Sequence, residues 1–220
     1  MARSALIYGA TGMVGGALLE LLLASPEYRS VCAPGRRQLA VTDAKLRSPV
    51  VDLGAPEQLA ASSAVDDVFC CLGTTIKKAG SQEAFRTVDH DYPLAAAKAA
   101  QAAGARQFVI CSAVGADAKS TVFYNRVKGE LEQALGALRF PGGIKVLHPS
   151  LLLGDRGESR PGERFAILTL GGLRWVFGGP LAKWKPIEAR EVAQAMLRAA
   201  VTEPAGSAVY QGKELFRLAR

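Results

Sequence analysis

Tyr124 precedes Lys128 by four residues in FYNRVKGELEQAL, residues 123–135. On a helix that spacing sets both side chains on one face. The chemistry open to such a pair is proton transfer. A free tyrosine titrates near about pH 10, and a neighbouring ammonium favours its phenolate, so the hydroxyl can give or take a proton at a carbonyl or alcohol oxygen. Solvated helical faces also carry tyrosine and lysine at this spacing, so the surrounding residues have to decide.

A second constellation is GATGMVGGALLELLL, with Gly9, Gly12 and Gly15 spaced G-x-x-G-x-x-G after a strand-like first segment. Gly9 allows a tight turn, Gly12 lets backbone approach a pyrophosphate, and Gly15 lets the helix pack on the strand. Phosphates would rest on the N–H groups of this turn, where Thr11, Met13 and Val14 also lie. At the end of the second strand stand Ala33-Pro34-Gly35-Arg36-Arg37. No carboxylate is offered there for a ribose diol, whereas Arg36 and Arg37 can grip a 2′-phosphate, so the expected cofactor is NADP(H) rather than NAD(H). The bland alternative is two exposed loop arginines. Asp52, followed by Leu53, ends the expected third strand as a candidate acceptor for an adenine amino group, or as a cap for the helix beginning in GAPEQL. The fourth strand ends CCLGTT, and Cys71, Leu72, Gly73 and Thr74 bring backbone close to the cofactor at the carboxyl edge of the sheet.

The elements that must position these groups alternate. SALIYGA, RSVCAPG, SPVVDL, DDVFCCLG, RQFVICSA and IKVLHPSLLLG read as strands, nearly continuous in hydrophobicity as expected when both faces of a sheet are covered. Helical patterns fall at about 13–24, 56–62, 81–103, 120–138, 162–177 and 188–201, and AVYQG at 208–212 is a candidate late strand. Strand and helix in alternation predict the α/β class with a doubly wound parallel sheet. Residues 1–220 read as one domain, with 154–186 as a small C-terminal, substrate-side insertion.

Composition limits the function. The net charge of +7 comes from 27 scattered Lys and Arg, whose tightest doublets are Arg36-Arg37 and Lys77-Lys78, so no nucleic-acid footprint is expected. The run ALLELLLA is too short to cross a bilayer and contains Glu20, so no membrane is expected. Met1-Ala2-Arg3 leads straight into a strand rather than a signal-peptide core, which points to a cytoplasmic protein. Cys32, Cys70, Cys71 and Cys111 lie in β-like runs without C-x-x-C spacing, and are expected as buried, reduced thiols with no metal.

With the glycine motif, the basic second-strand end, CCLGTT, Ser112 and the Tyr124/Lys128 pair in this order, the chain resembles the short-chain dehydrogenase/reductase superfamily, in its atypical or extended branch. More narrowly, CCLGTTIKKAGSQEAFRTVDHDY, SAVGAD, FYNRVKGELE and DRGESRPGE are similar to the Tat-interacting-protein-like oxidoreductases, over about residues 5–200. The resemblance implies a Rossmann fold, NADP(H), and a catalytic triad of Ser112, Tyr124 and Lys128. In it the tyrosine moves the proton, the serine hydrogen-bonds the same substrate oxygen, and the lysine binds the nicotinamide ribose and lowers the tyrosine pKa. Pro149 and Ser150, after the sixth strand, would pass beside the nicotinamide. Many relatives place an arginine where this chain has His148, here read as a packed strand-end residue. Asp89 occupies the region of an active-site asparagine, and helix capping explains it equally well. Arg156, Arg160 and Arg164 can serve an acidic substrate group or pair on the surface with Glu158 and Glu163.

The expected function is an NADP(H)-dependent oxidoreductase acting on a small carbonyl or alcohol. One alternative is an NADPH-binding redox-sensing regulator with a protein partner. The other is epimerase or dehydratase chemistry on a nucleotide-sugar, disfavoured because only residues 155–220 follow Gly154. The sequence sets no oligomeric state.

Overall fold

The computed structural model describes residues 2–55, 58, 64–153 and 184–220. β1 (Arg3–Tyr8) enters α1 (Met13–Ala24), followed by β2 (Tyr28–Cys32), β3 (Leu46–Arg47) and β4 (Asp67–Cys70). Two short helices, α2 (Ile76–Ala79) and α3 (Gln82–Arg86), lead through a π-helical turn (Thr87–Asp91) into α4 (Tyr92–Ala102). Then come β5 (Gln107–Cys111), α5 (Phe123–Leu135), β6 (Ile144–His148), β7 (Leu152–Leu153), β8 (Ile187–Glu188), α6 (Ala189–Val201), β9 (Ala208–Gln211) and α7 (Lys213–Leu218).

Seven strands form a sheet in the order β3-β2-β1-β4-β5-β6-β9, and every pairing is parallel. This is the doubly wound Rossmann order, extended at one edge by the late strand. Alternate residues of β1 serve opposite faces: Ala5 and Ile7 join the core under α1, α6 and α7, while Leu6 and Tyr8 join the core under α4 and α5. Both faces being covered explains why the strands read as unbroken apolar runs. The chain reverses strand order beside β1, so the carboxyl ends of β1 and β4 diverge around a crevice where ligands of this fold bind.

Two expected elements differ. SPVVDL was expected as the third strand, but β3 is Leu46–Arg47, and beyond it only a bridge of Val50 with Gly35 continues the pairing. Pro49 has no N–H to give a ladder. The expected helix 81–103 is interrupted by the π-helical turn, in which the Tyr92 N–H bonds the Thr87 carbonyl. Pro93 follows immediately and cannot bond the Asp89 carbonyl one turn back, so the turn widens at this point. The helix expected at 162–177 and most of that at 56–62 lie outside the described residues. No described helix is long and apolar enough to span a membrane.

At the amino edge of the sheet, Asp67 is fully buried and accepts from Arg3 (2.9 Å), Tyr28 (2.8 Å) and Arg106 (2.7 and 3.1 Å). A buried carboxylate persists because each oxygen has donors.

Candidate active site

The site is built at the opposite, carboxyl edge. Gly9 has φ +84, and a Cβ there would lie 2.6 Å from the Cys71 carbonyl oxygen, so this turn tolerates neither a side chain's conformation nor its volume. Gly12 caps α1, its N–H bonding the Gly9 carbonyl at 2.9 Å. A Cβ on Gly15 would fall 2.1 Å from the same carbonyl, which is the close helix–strand contact the motif predicts. The first-turn N–H groups of α1 have no acceptor within the helix and point toward the crevice with its positive end.

One cleft with two lobes, about 920 and 550 Å³, runs along this edge. Both volumes fall in the usual range of small-molecule sites, about 300–1,000 Å³. Thr11, Gly12, Cys71, Leu72, Gly73, Thr74 and Lys78 line both lobes and join them. The smaller lobe adds Gly9, Arg36, Arg37 and Leu53, and no Asp or Glu stands on its described walls. The larger adds Met13, Val14, Ser112, Tyr124, Lys128 and Asp89.

Lys128 and Asp89 form a buried ion pair at 2.8 Å, with 4% and 1% of their side chains exposed. Burial alone would lower the Lys128 ammonium, but the Asp89 carboxylate outweighs it, aided by Tyr124, and holds the pKa above its ordinary value. The other Asp89 oxygen accepts the Thr74 N–H at 2.8 Å. Asp89 therefore caps no helix. The widened turn aims it inward, where it ties the CCLGTT backbone to α5. Tyr124 is half-buried one turn before Lys128, with its ring 5.6 Å from that of Phe85. Ser112, at the end of β5, donates its hydroxyl to Glu132 Oε1. Glu132 also meets His148 Nε2 at 2.9 and 3.0 Å. His148 is thus packed at its strand end as expected, but with a carboxylate partner. The four cysteines are free; Cys71 and Cys111 are only half-buried and reach the cleft wall, where burial pushes the Cys111 thiol up to about 11.

Three residues expected at the cofactor are not among the described lining of the cleft. The Asp52 carboxylate accepts the Gly54 N–H at 2.8 Å in a local turn just past the Val50–Gly35 bridge, and it is not among the described lining of the cleft. Pro149 spends its carbonyl on the Val114 N–H, and Ser150 donates to the Lys185 carbonyl; Leu152 lines the larger lobe instead. Arg156, Arg160 and Arg164 lie outside the described residues. Sequence reasoning missed Glu132, Thr75, Ile76, Lys77 and Lys78. Glu132 had a signal, since it stands four residues beyond Lys128 on the same helical face.

The family model described as NAD(P)H-binding matches residues 9–139. The chain belongs to this NAD(P)H-binding family. Among relatives, "Protein FMP52-1, mitochondrial" of Scheffersomyces stipitis is 37% identical, over 90% of this chain and 88% of its own length. "Protein HTATIP2" of Rattus norvegicus is 39% identical over 80% of this chain and 74% of its own. This agrees with the resemblance to Tat-interacting-protein-like oxidoreductases. Solved structures share the fold: MoeE5 with UDP-glucose and NAD has a TM-score of 0.71 at 21% identity, covering 94% of this chain and 75% of that one. The UDP-glucose 4-epimerase of Thermotoga maritima has a TM-score of 0.67 at 14% identity, covering 98% of this chain and 81% of that one. The cytoplasmic expectation is corrected by these comparisons, because the fungal relatives are named as mitochondrial proteins. A missing secretory core never separated cytosol from mitochondrion.

Proposed function

We propose that this NAD(P)H-binding protein is an NADP(H)-dependent oxidoreductase that transfers hydride to or from a small carbonyl or alcohol. The observation that carries the reading is Tyr124 beside the buried Lys128–Asp89 pair, on the wall of a cleft continuous with the glycine turn. The residues suit the cofactor: the glycine turn offers N–H groups to a pyrophosphate, and Arg36 and Arg37 stand at the far lobe with no described carboxylate to repel a 2′-phosphate.

When bound, the nicotinamide supplies the hydride. The chain's own residues handle the proton. Tyr124 gives its hydroxyl proton to the substrate oxygen in reduction and takes it back in oxidation. Lys128 favours the phenolate by its charge, and Asp89 keeps that charge in place at a buried position. Ser112 adds a second hydroxyl on the same wall.

The cofactor preference is tested by titrating NADPH and NADH against the wild type and an Arg36→Ala/Arg37→Ala double variant. The expected result is tighter binding of NADPH, with about ten- to a hundredfold lost in the double variant and NADH binding unchanged. Equal affinities in the wild type would remove the NADP(H) assignment. Tight NADPH binding without turnover of any aldehyde, ketone or alcohol would favour the regulatory reading instead.

A further inference from the structure

β4 and β5 pair in parallel with Cys70 opposite Ile110, so Cys71 and Cys111, the next residue of each, leave the sheet side by side. Both pack against the core under α1, α6 and α7, so their side chains share one face of the sheet. Both thiols are free and half-buried, and both line the larger lobe of the cleft. On the same face, Cys71 donates its S–H to Met196 Sδ of α6 at 3.7 Å. Cys70 and Cys32 belong to the opposite core. A pair of thiols backed by a thioether thus stands at the carboxyl ends of two neighbouring strands. No C-x-x-C spacing announces it, because the sheet rather than the local chain brings the two cysteines together.

Three uses of such a pair can be weighed. A nucleophile or peroxide sensor needs a thiolate, whereas burial pushes Cys111 up to about 11 and Cys71 well above its ordinary value. A disulfide brings its Cβ atoms to about 3.8 Å, closer than the spacing of about 4.8 Å between neighbouring strands. An ion bridging two sulfurs through bonds of about 2.3 Å spans up to about 4.6 Å between them, which suits side-by-side strands without moving backbone. A metal also achieves what burial opposes, since a coordinating thiol gives up its proton outright.

The donor set selects the ion. Among the described residues, no group of three or more His, Cys, Asp or Glu could hold a metal, so a structural zinc, which takes four such ligands, does not suit this wall. Two thiolates with a thioether behind them suit a soft ion that accepts two or three sulfurs. We propose that Cys71 and Cys111 form a two-thiolate site for a soft monovalent cation of the Cu(I) class, on the cleft wall, where the ion competes with NADPH. Loading changes no oxidation state: one Cu⁺ and two thiols give a bis-thiolate complex of charge −1 and two released protons. The Lys128 ammonium, whose charge already favours the Cys111 thiolate, stands near enough to offset that charge. The site goes beyond the oxidoreductase reading and needs only the thiols and the cleft.

The test is an anaerobic titration of the whole chain with Cu(I), kept reduced by ascorbate, against bicinchoninate as a coloured competitor. The expected result is one Cu(I) per chain, with binding about 10²-fold weaker in Cys71→Ala and in Cys111→Ala and unchanged in Cys70→Ala, whose thiol faces the other core. X-ray absorption at the copper edge of the loaded wild type needs no variant and should show a shell of two or three sulfurs. Saturating NADPH should weaken Cu(I) binding by about tenfold or more, and Cu(I) should weaken NADPH binding by the same factor. No Cu(I) taken from bicinchoninate, an affinity indifferent to Cys71→Ala or Cys111→Ala, an equal loss in Cys70→Ala, a shell of nitrogen or oxygen, or Cu(I) binding unmoved by bound NADPH would overturn the proposal. Should the wild type bind no NADPH at all, the oxidoreductase reading falls, and the copper stoichiometry, the two cysteine variants and the sulfur shell decide this site by themselves.

Discussion

The buried Lys128–Asp89 pair is the residue-scale feature on which the site depends. Each group is stable in the interior because the other is there, so removing one leaves an uncompensated charge. Asp89→Asn should lower stability to urea by about 3–5 kcal/mol, and Asp89→Asn/Lys128→Met should recover part of that loss. Equal stability of wild type and Asp89→Asn would mean that the pair is not held dry. The local parts of the site were legible in the sequence. Tyr124 and Lys128 are four apart on one helix, and the glycine turn sits between β1 and α1, so spacing alone placed them. Asp89, Glu132 and His148 were not legible as partners, because their contacts join segments 15 or more residues apart. For Asp52, the local partner depends on where the pairing stops: past the Val50–Gly35 bridge its carboxylate accepts the Gly54 N–H.

At the scale of elements, close backbone contacts set the cleft. Gly15 lets α1 touch the turn it caps, and Gly129 does the same for α5, since a Cβ there would lie 2.1 Å from the Ala118 backbone nitrogen. Gly129 follows Lys128 directly, so the loop of residues 117–118 presses on the turn that presents Tyr124 and Lys128. Gly129→Ala should cost about 1–3 kcal/mol by overpacking and weaken NADPH binding, read by thermal melts with and without cofactor. An unchanged melting temperature in both conditions would contradict the contact. The sheet and its alternation were legible from apolar runs, as was the late strand at 208–211. The π-helical turn was not, because a helical pattern continues smoothly through residues 81–103 and only Pro93 hints at the extra residue.

For the molecule as a whole, the two edges of the sheet carry different burdens. The carboxyl edge holds the cleft, while the amino edge is closed by Asp67 with Arg3, Tyr28 and Arg106. Burial, and then the Asp67 carboxylate, push the Tyr28 phenol well above its ordinary value, and Lys128 is raised as well. Both groups bind protons more tightly folded than unfolded. Their contribution is complete below about pH 10 and is lost as pH rises beyond the unfolded values. The melting temperature should therefore fall steeply above about pH 10, and Tyr28→Phe should flatten that fall. Stability that climbs with alkali would contradict the assignment.

In the proposed function, Tyr124 moves a proton while NADPH stays bound to the glycine turn and the arginine lobe. The most direct measurement is NADPH consumption with a panel of simple aldehydes and ketones, made in parallel on wild type and Tyr124→Phe, with NADPH affinity determined for each. The expected result is turnover by the wild type, a loss of about 10²–10⁴-fold in kcat for Tyr124→Phe, and matched NADPH affinities. Equal rates in the two proteins, or a wild type that binds no NADPH, would contradict it.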